Sequence, residues 1–152
     1  MATLDQILGG ISITLTDRIS PQLPEGLHAY PEMPSSPLLP AITPILRSID
    51  YGASMGRSVD DVYELDLQVL CSTASEEVGQ ALLRSLVTGY GPLSIRETVE
   101  ASKTRQSNYL GLPATKARVM RLVAFGLKFR AAEIDHVGAI LRLQVITAAA
   151  PD

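Results

Sequence analysis

Residues 56–101 read GRSVDDVYELDLQVLCSTASEEVGQALLRSLVTGYGPLSIRETVEA, and the alternation inside this stretch sets the fold. Tyr63, Leu65, Leu67, Val69 and Cys71 share one face, while Glu64, Asp66 and Gln68 share the other. The pattern predicts a strand over Asp61–Cys71 with one buried face and one acidic, wet face. Thr73 and Glu76 then have the spacing of a capping box, and Glu76 and Glu77 stand well against the dipole of a new helix. Val78, Ala81, Leu82 and Leu86 give that helix a buried stripe, and Gly89 is a natural stop. Past Pro92, Ser94 and Glu97 repeat the box spacing and open a second helix that turns Ile95 and Val99 inward. The stretch is dense in structural signals and poor in reactive groups, which suits a protein that works by assembling.

Upstream, Thr3 and Gln6 have capping-box spacing, and Leu4, Ile7, Leu8, Ile11, Leu15 and Ile19 recur at helical intervals, predicting an amphipathic helix over residues 4–19. Gly9 and Gly10 each weaken it by roughly 1 kcal/mol relative to Ala. Seven of the ten prolines fall between Pro21 and Pro44. Proline lacks a backbone donor, so residues 21–44 are expected to be extended rather than central sheet or helix, with short edge segments at Leu27–Tyr30 and Ala41–Ser48. The Leu and Ile between these prolines favour a segment hugging the domain wall over a Pro-rich ligand for another domain.

Downstream, residues 102–113 are polar and Gly-bearing and read as a mobile loop. A strand with Val119, Val123, Phe125, Leu127 and Phe129 on a common face follows, interrupted by Arg121. Residues 131–138 read as a turn or irregular hairpin, and a last strand alternates Leu141, Leu143 and Val145 with Arg142 and Gln144. Residues 148–152 read as a frayed tail. Helix, extended region, strand, two helices, loop and strand pair imply a single α+β domain, residues 1–152, with an antiparallel or mixed β-sheet and helices packed on one face.

At 152 residues, 46% hydrophobic and 19% charged, the chain can bury a sizeable core. No apolar run approaches the roughly 18 residues of a membrane span. The N-terminus has no positive region ahead of its apolar positions, arguing against a secretory signal. Cys71 is the sole cysteine, so no internal disulfide or Cys-based metal cluster is expected, and a reducing site of synthesis is the plain reading. The net charge of −3 hides an asymmetry. Residues 1–100 carry 5 Lys/Arg against 13 Asp/Glu, whereas residues 101–152 carry 8 against 3. Internal ion pairing explains this equally with an acidic face and a basic face suited to head-to-tail contact between copies.

Signals for chemistry are sparse. His28 and His136 lie far apart in sequence without supporting ligand spacing, so neither a metal site nor a His-based triad is expected. Cys71 ends a strand on its apolar face, where a thiol acts as a small hydrophobe. No phosphate-loop glycine pattern occurs, and no element carries a basic-aromatic surface for nucleic acid. Glu64 and Asp66, two apart on one strand face, make a paired-carboxylate site of a small hydrolase conceivable, but a solvated face is the commoner reason for such a pair. No cofactor is expected.

Tyr51-Gly52, Gly56-Arg57, DDVYELDLQVLCS at 60–72, a helix ending in Leu86 and GPLSIRETVEAS at 91–102 resemble the tail terminator (tail completion) proteins of long-tailed bacteriophages and prophages. The likeness follows the order of elements over residues 1–147 and is specific over Gly56–Ala101. The chain departs from that family's pattern at Lys103–Leu112 and at Ala131–His136. The resemblance implies a non-enzymatic virion protein, made in the host cytoplasm and placed at the head-proximal end of the tail. There it forms a homo-oligomeric ring, most often six-fold, that caps the tail tube, stops its growth and offers a docking surface to head-completion proteins. Its partners would be its own copies, the tail tube protein and a connector, with DNA only as passing cargo and no membrane. A connector, stopper or tube protein of the same neck is the alternative. On this reading Asp61, Glu64 and Asp66 form a lumen-facing acidic strand along which DNA slides, because basic groups there would hold the phosphates. Lys103, Arg105, Asn108 and Tyr109 form an inter-subunit or partner loop.

Overall fold

The computed structural model describes residues 2–24, 26–32, 34–35, 37–52, 60–73, 77–106, 108–131 and 134–148. Among the described residues, three α-helices, α1 (Leu4–Ile19), α2 (Glu77–Val87) and α3 (Ile95–Ala101), and a single 3-10 turn at Ser20–Gln22 accompany five strands, β1 (His28–Ala29), β2 (Ala41–Asp50), β3 (Asp61–Thr73), β4 (Thr115–Ala131) and β5 (Ile134–Thr147). The strands form one sheet in the order β1-β2-β3-β5-β4. Among the described strands the β1–β2 pair is parallel and the others antiparallel, so the sheet is mixed. With helices packed on one face, the domain is α+β.

α1 begins as its sequence predicts. The Thr3 side chain accepts from the Gln6 amide at 3.2 Å, and the Gln6 side chain accepts from the Thr3 amide at 2.9 Å. Ile7, Ile11, Leu15 and Ile19 are buried in the common core with Leu65, Leu67 and Val69 of β3 and Leu141, Leu143 and Val145 of β5. In α2 the inward stripe falls on Leu83 and Leu86, with Leu82 and Val87 half-buried, whereas Ala81 is exposed. The expected box at Thr73 and Glu76 and the side chain of Val78 lie outside the described residues. α2 ends at Val87, two residues before Gly89, and the positive φ that follows falls at Gly91, at 113°. α3 is capped by Ser94, whose Oγ accepts from the Glu97 amide at 3.1 Å, while Glu97 Oε2 accepts from the Gly91 amide at 2.6 Å.

Three expectations are refined. First, the edge segment expected at Ala41–Ser48 is a full strand that runs two residues further: β2 pairs with β3 from Ala41 to Asp50. Pro44 is tolerated because of its side of the ladder. The Ile42 carbonyl turns outward to accept from the Tyr30 amide at 3.0 Å. Two residues on, Pro44 has its missing donor on that same outer side, where β1 has ended. Second, β4 and β5 stay paired as far as Ala131 and Ile134, so the hairpin arms reach further than the alternation suggests. Val119, Leu122 and Phe125 stand opposite Leu143, Leu141 and Ala139. The spacing of three arises from register shifts at 119/121, 122/124 and 125/127. Each bulge adds one residue, and the last is Gly126 with φ of 74°.

Third, the loop at residues 102–113 carries hydrogen bonds of its own. Thr104 N donates to Asn108 O at 2.8 Å, Leu110 N to Ser102 Oγ at 3.1 Å, and Tyr109 N to Thr115 O at 2.9 Å. Leu110 is buried in the core beside α1. In the segment read as a frayed tail, Ala148 donates to Ala114 O at 2.9 Å, and residues 149–152 lie outside the described residues. The loop also explains one glycine: a Cβ at Gly10 would stand 2.9 Å from Leu110 O, whereas at Gly9 it would meet nothing within 4 Å. Replacing Gly9 with Ala is therefore expected to raise unfolding free energy by roughly 0.5–1 kcal/mol. Gly10→Ala is expected to lower it by about 1 kcal/mol or more, because overpacking against backbone outweighs the propensity gain. Urea denaturation of the two variants checks the opposite signs.

Candidate functional site

The most organised polar cluster lies on the sheet face turned away from the helices. Arg142 Nε donates to Asp66 Oδ1 at 2.6 Å, and Arg47 Nε lies 3.5 Å from Asp66 Oδ2. Arg142 Nη1 lies 3.9 Å from Glu64 Oε2. Register places these groups. Asp66 stands directly opposite Arg142 across β3 and β5. Arg47 is the extra residue at the β2 register shift between Leu46 and Ser48, and the bulge aims it toward its neighbour strand.

This cluster corrects the reading of the acidic strand. Asp66 is only 8% exposed, with each carboxylate oxygen facing a guanidinium group. Glu64 is half-buried and shares Arg142. Asp61 alternates with Glu64 and Asp66 onto the opposite face, beside Tyr63, where its Oδ1 accepts from the Gly52 amide at 3.1 Å. The three carboxylates do not form one wet row. The outer face also carries Lys116, Arg118 and Arg121, which stand opposite Ile146, Gln144 and Arg142. Among the described residues, cations outnumber carboxylates on this face. A DNA-repelling acidic wall needs unpaired carboxylates, and Asp66 is not one. A paired-carboxylate hydrolase needs an acid free to exchange a proton with substrate, and Asp66 has both oxygens engaged.

The partner-loop residues divide as well. Asn108 Oδ1 accepts from the Ala114 amide at 3.0 Å, and Tyr109 is half-buried against the core, so both hold the loop itself. Lys103 and Arg105 are exposed and available to a partner.

The remaining candidates for chemistry are quiet. Burial pushes the Cys71 thiol up to about 12, leaving it protonated and inert at neutral pH. The Tyr63 hydroxyl is raised too, chiefly by burial and secondarily by the Asp61 charge. His28 on β1 and His136 on β5 are separated by β2 and β3. Among the described residues no group of three or more His, Cys, Asp or Glu is placed to hold a metal ion, and no helix is long and apolar enough to cross a membrane.

A groove of about 550 Å³ opens where the end of α2 and the outer side of α3 stand over β4. Sequence reading missed it because α3, α2 and β4 meet only in the folded chain. It also missed the Asp66–Arg142 contact, although a signal was present. Residues 65–69 read LDLQV and residues 141–145 read LRLQV, the same alternating pattern with opposite charge at one position. No known protein-family model matches the chain, and no curated protein matches it.

Two outcomes are expected. Arg142→Met leaves Asp66 nearly buried beside a half-exposed Arg47 and costs roughly 3 kcal/mol. The double variant Asp66→Leu/Arg142→Met costs less than Arg142→Met alone, and Glu64→Gln costs under about 1 kcal/mol. Chemical denaturation across these variants measures the coupling. Separately, Cys71 in the native protein at pH 8 is expected to react with a thiol reagent only as fast as the chain opens, with full reaction in denaturant.

Proposed function

We propose that this protein is a structural subunit of a phage-type tail, assembling as a homo-oligomeric ring that ends the tail tube and receives the head-completion proteins. One observation carries the reading. The observed order of elements is an N-terminal helix, a two-residue strand, a ten-residue strand, a long strand, two helices and a closing strand pair. Apart from the length of β2, it follows the order implied by the resemblance to tail terminator proteins, which is specific over residues 56–101. The absence of an organised reactive cluster among the described residues accords with a structural role, and the charged edge strand offers surface for neighbours. DNA enters this reading only as cargo. The charge pairing at Asp66 removes the acidic wall as its support, so the proposal stands on fold order and surface.

The test is electron microscopy of tails assembled with the gene deleted from its virus or prophage. Overlong tubes are the expected result. Tails of normal length that fail to join heads would place the protein at the connector or stopper step instead. Normal, head-joined tails would overturn both.

A further inference from the structure

Residues 101–132 carry seven Lys and Arg and no Asp or Glu. The chain as a whole has a net charge of −3, so this run gathers positive charge that the rest of the molecule lacks. Folding keeps that charge together. Register sets Lys116, Arg118 and Arg121 opposite Ile146, Gln144 and Arg142, on the sheet face turned away from the helices. All three are exposed, and along β5 their partners cover about 13 Å. The loop before β4 adds Lys103 and Arg105, both exposed. It is joined to the strand where Tyr109 N donates to Thr115 O at 2.9 Å.

Among the described residues none of these five cations is ion-paired. Glu64 and Asp66 of β3 share the face, but Arg142 and Arg47 already engage them, and Asp50 stands on β2, beyond both β3 and β5. A cavity of about 400 Å³ opens within the strip, lined by Tyr109, Lys116, Ala117, Arg118, Gln144 and Ile146. There Arg118 Nε donates to Gln144 Oε1 at 3.2 Å, which fixes the guanidinium on the outer face. Lys, Arg, Tyr and Gln are side chains that contact phosphate oxygens. A protein partner asks for a different surface, because the cores of protein interfaces are depleted of charge and of Lys, whereas surfaces for DNA are polar and strongly positive. A single strand asks for exposed aromatic platforms, and Tyr109 is half-buried.

We infer that the outer side of β4, with the loop leading into it, is a sequence-independent contact for the phosphate backbone of duplex DNA. Lys116, Arg118 and Arg121 form a row along the backbone, and Lys103 and Arg105 extend it at the loop end. The acidic remainder of the chain does not cancel the attraction, since at 0.1 M salt charges are screened beyond about 10 Å. It does keep the contact weak, and reliance on phosphates makes it strongly dependent on salt. The inference goes beyond the ring reading and does not depend on it.

Fluorescence anisotropy of a short labelled DNA duplex, titrated with the full-length protein over a range of salt concentrations, tests it. With three to five phosphates neutralised, log Kobs is expected to fall against log salt with a slope of about −3 to −4.5. The triple variant Lys116→Gln/Arg118→Gln/Arg121→Gln is expected to bind roughly tenfold more weakly or worse at low salt, with the slope flattened by about 3. The control Arg84→Gln/Arg96→Gln removes exposed arginines of α2 and α3 and is expected to leave the slope unchanged. Absence of binding by the wild type at low salt would overturn the contact, and so would a triple variant that binds like the wild type. Equal losses per charge in the triple variant and the control would overturn it too, since net charge alone would then explain the binding. Poly-glutamate that competes as well as unlabelled duplex of equal charge would reassign the strip to an acidic protein surface, a second copy included. A single strand that competes better than the duplex would overturn the choice of duplex. In the wild-type protein, where no variant has to fold, duplex DNA is expected to slow acetylation of Lys116, and unchanged labelling under binding conditions overturns the contact. None of these outcomes bears on tube length, by which the ring reading is judged.

Discussion

Asp66 and Arg142 face each other at 2.6 Å across the two central strands, and the register they mark underlies the rest of the molecule. Strand side chains repeat every second residue, so slipping β3 by one position would send Leu65, Leu67 and Val69 to the outer face and Asp66 into the core. The helices α1, α2 and α3 pack against what this register exposes. The charge pair does not make the slip impossible by its own energy. Its contribution is that the misaligned alternative would bury a carboxylate without its guanidinium, which is far worse than an aligned ion pair is good.

From that frame the two sides of the sheet take different characters. The inner side is closed chiefly by aliphatic residues, with Tyr63 and Cys71 among them, as expected of a chain with no Trp and two Phe. The outer side carries cross-strand polar pairs at its centre, between apolar pairs such as Val62 with Ile146. Asp66 is held from both neighbours, by Arg142 of β5 and by Arg47 at the bulge of β2, and Arg118 Nε donates to Gln144 Oε1 at 3.2 Å. The acidic character of β3, so evident along the sequence, is thereby cancelled in three dimensions, and the uncompensated charge moves to the basic edge strand.

That edge is the least protected part of the sheet. β4 runs for 17 residues with Met120, Leu122, Val123 and Phe125 all partly exposed. Long apolar edges invite indiscriminate pairing, and bulges and cations are the usual means of blunting them. β4 has both, with three register shifts and Lys116, Arg118 and Arg121 along it. A strand so interrupted cannot readily extend a flat ladder with another strand, which leaves side-chain contact in the groove above it as the more natural mode of association.

The sequence by itself determined the elements whose pattern is local. The α1 box, the alternation of β3, the cap of α3 and the α+β class all follow from spacings of a few residues, because period and capping are properties of short segments. The bulged period of three in β4 was illegible, since each bulge is defined by its partner strand rather than by its own residues. The place of Pro44 was likewise decided by where β1 ends. The site was half legible: LDLQV and LRLQV announce a complementary pair, but whether Asp66 meets water or Arg142 depends on strand order. That Asn108 and Tyr109 hold their own loop was also decided by the fold. Only tertiary structure could bring α2, α3 and β4 together into a groove or leave Ile13 uncovered, because burial and charge pairing are settled by neighbours that the chain supplies from far away.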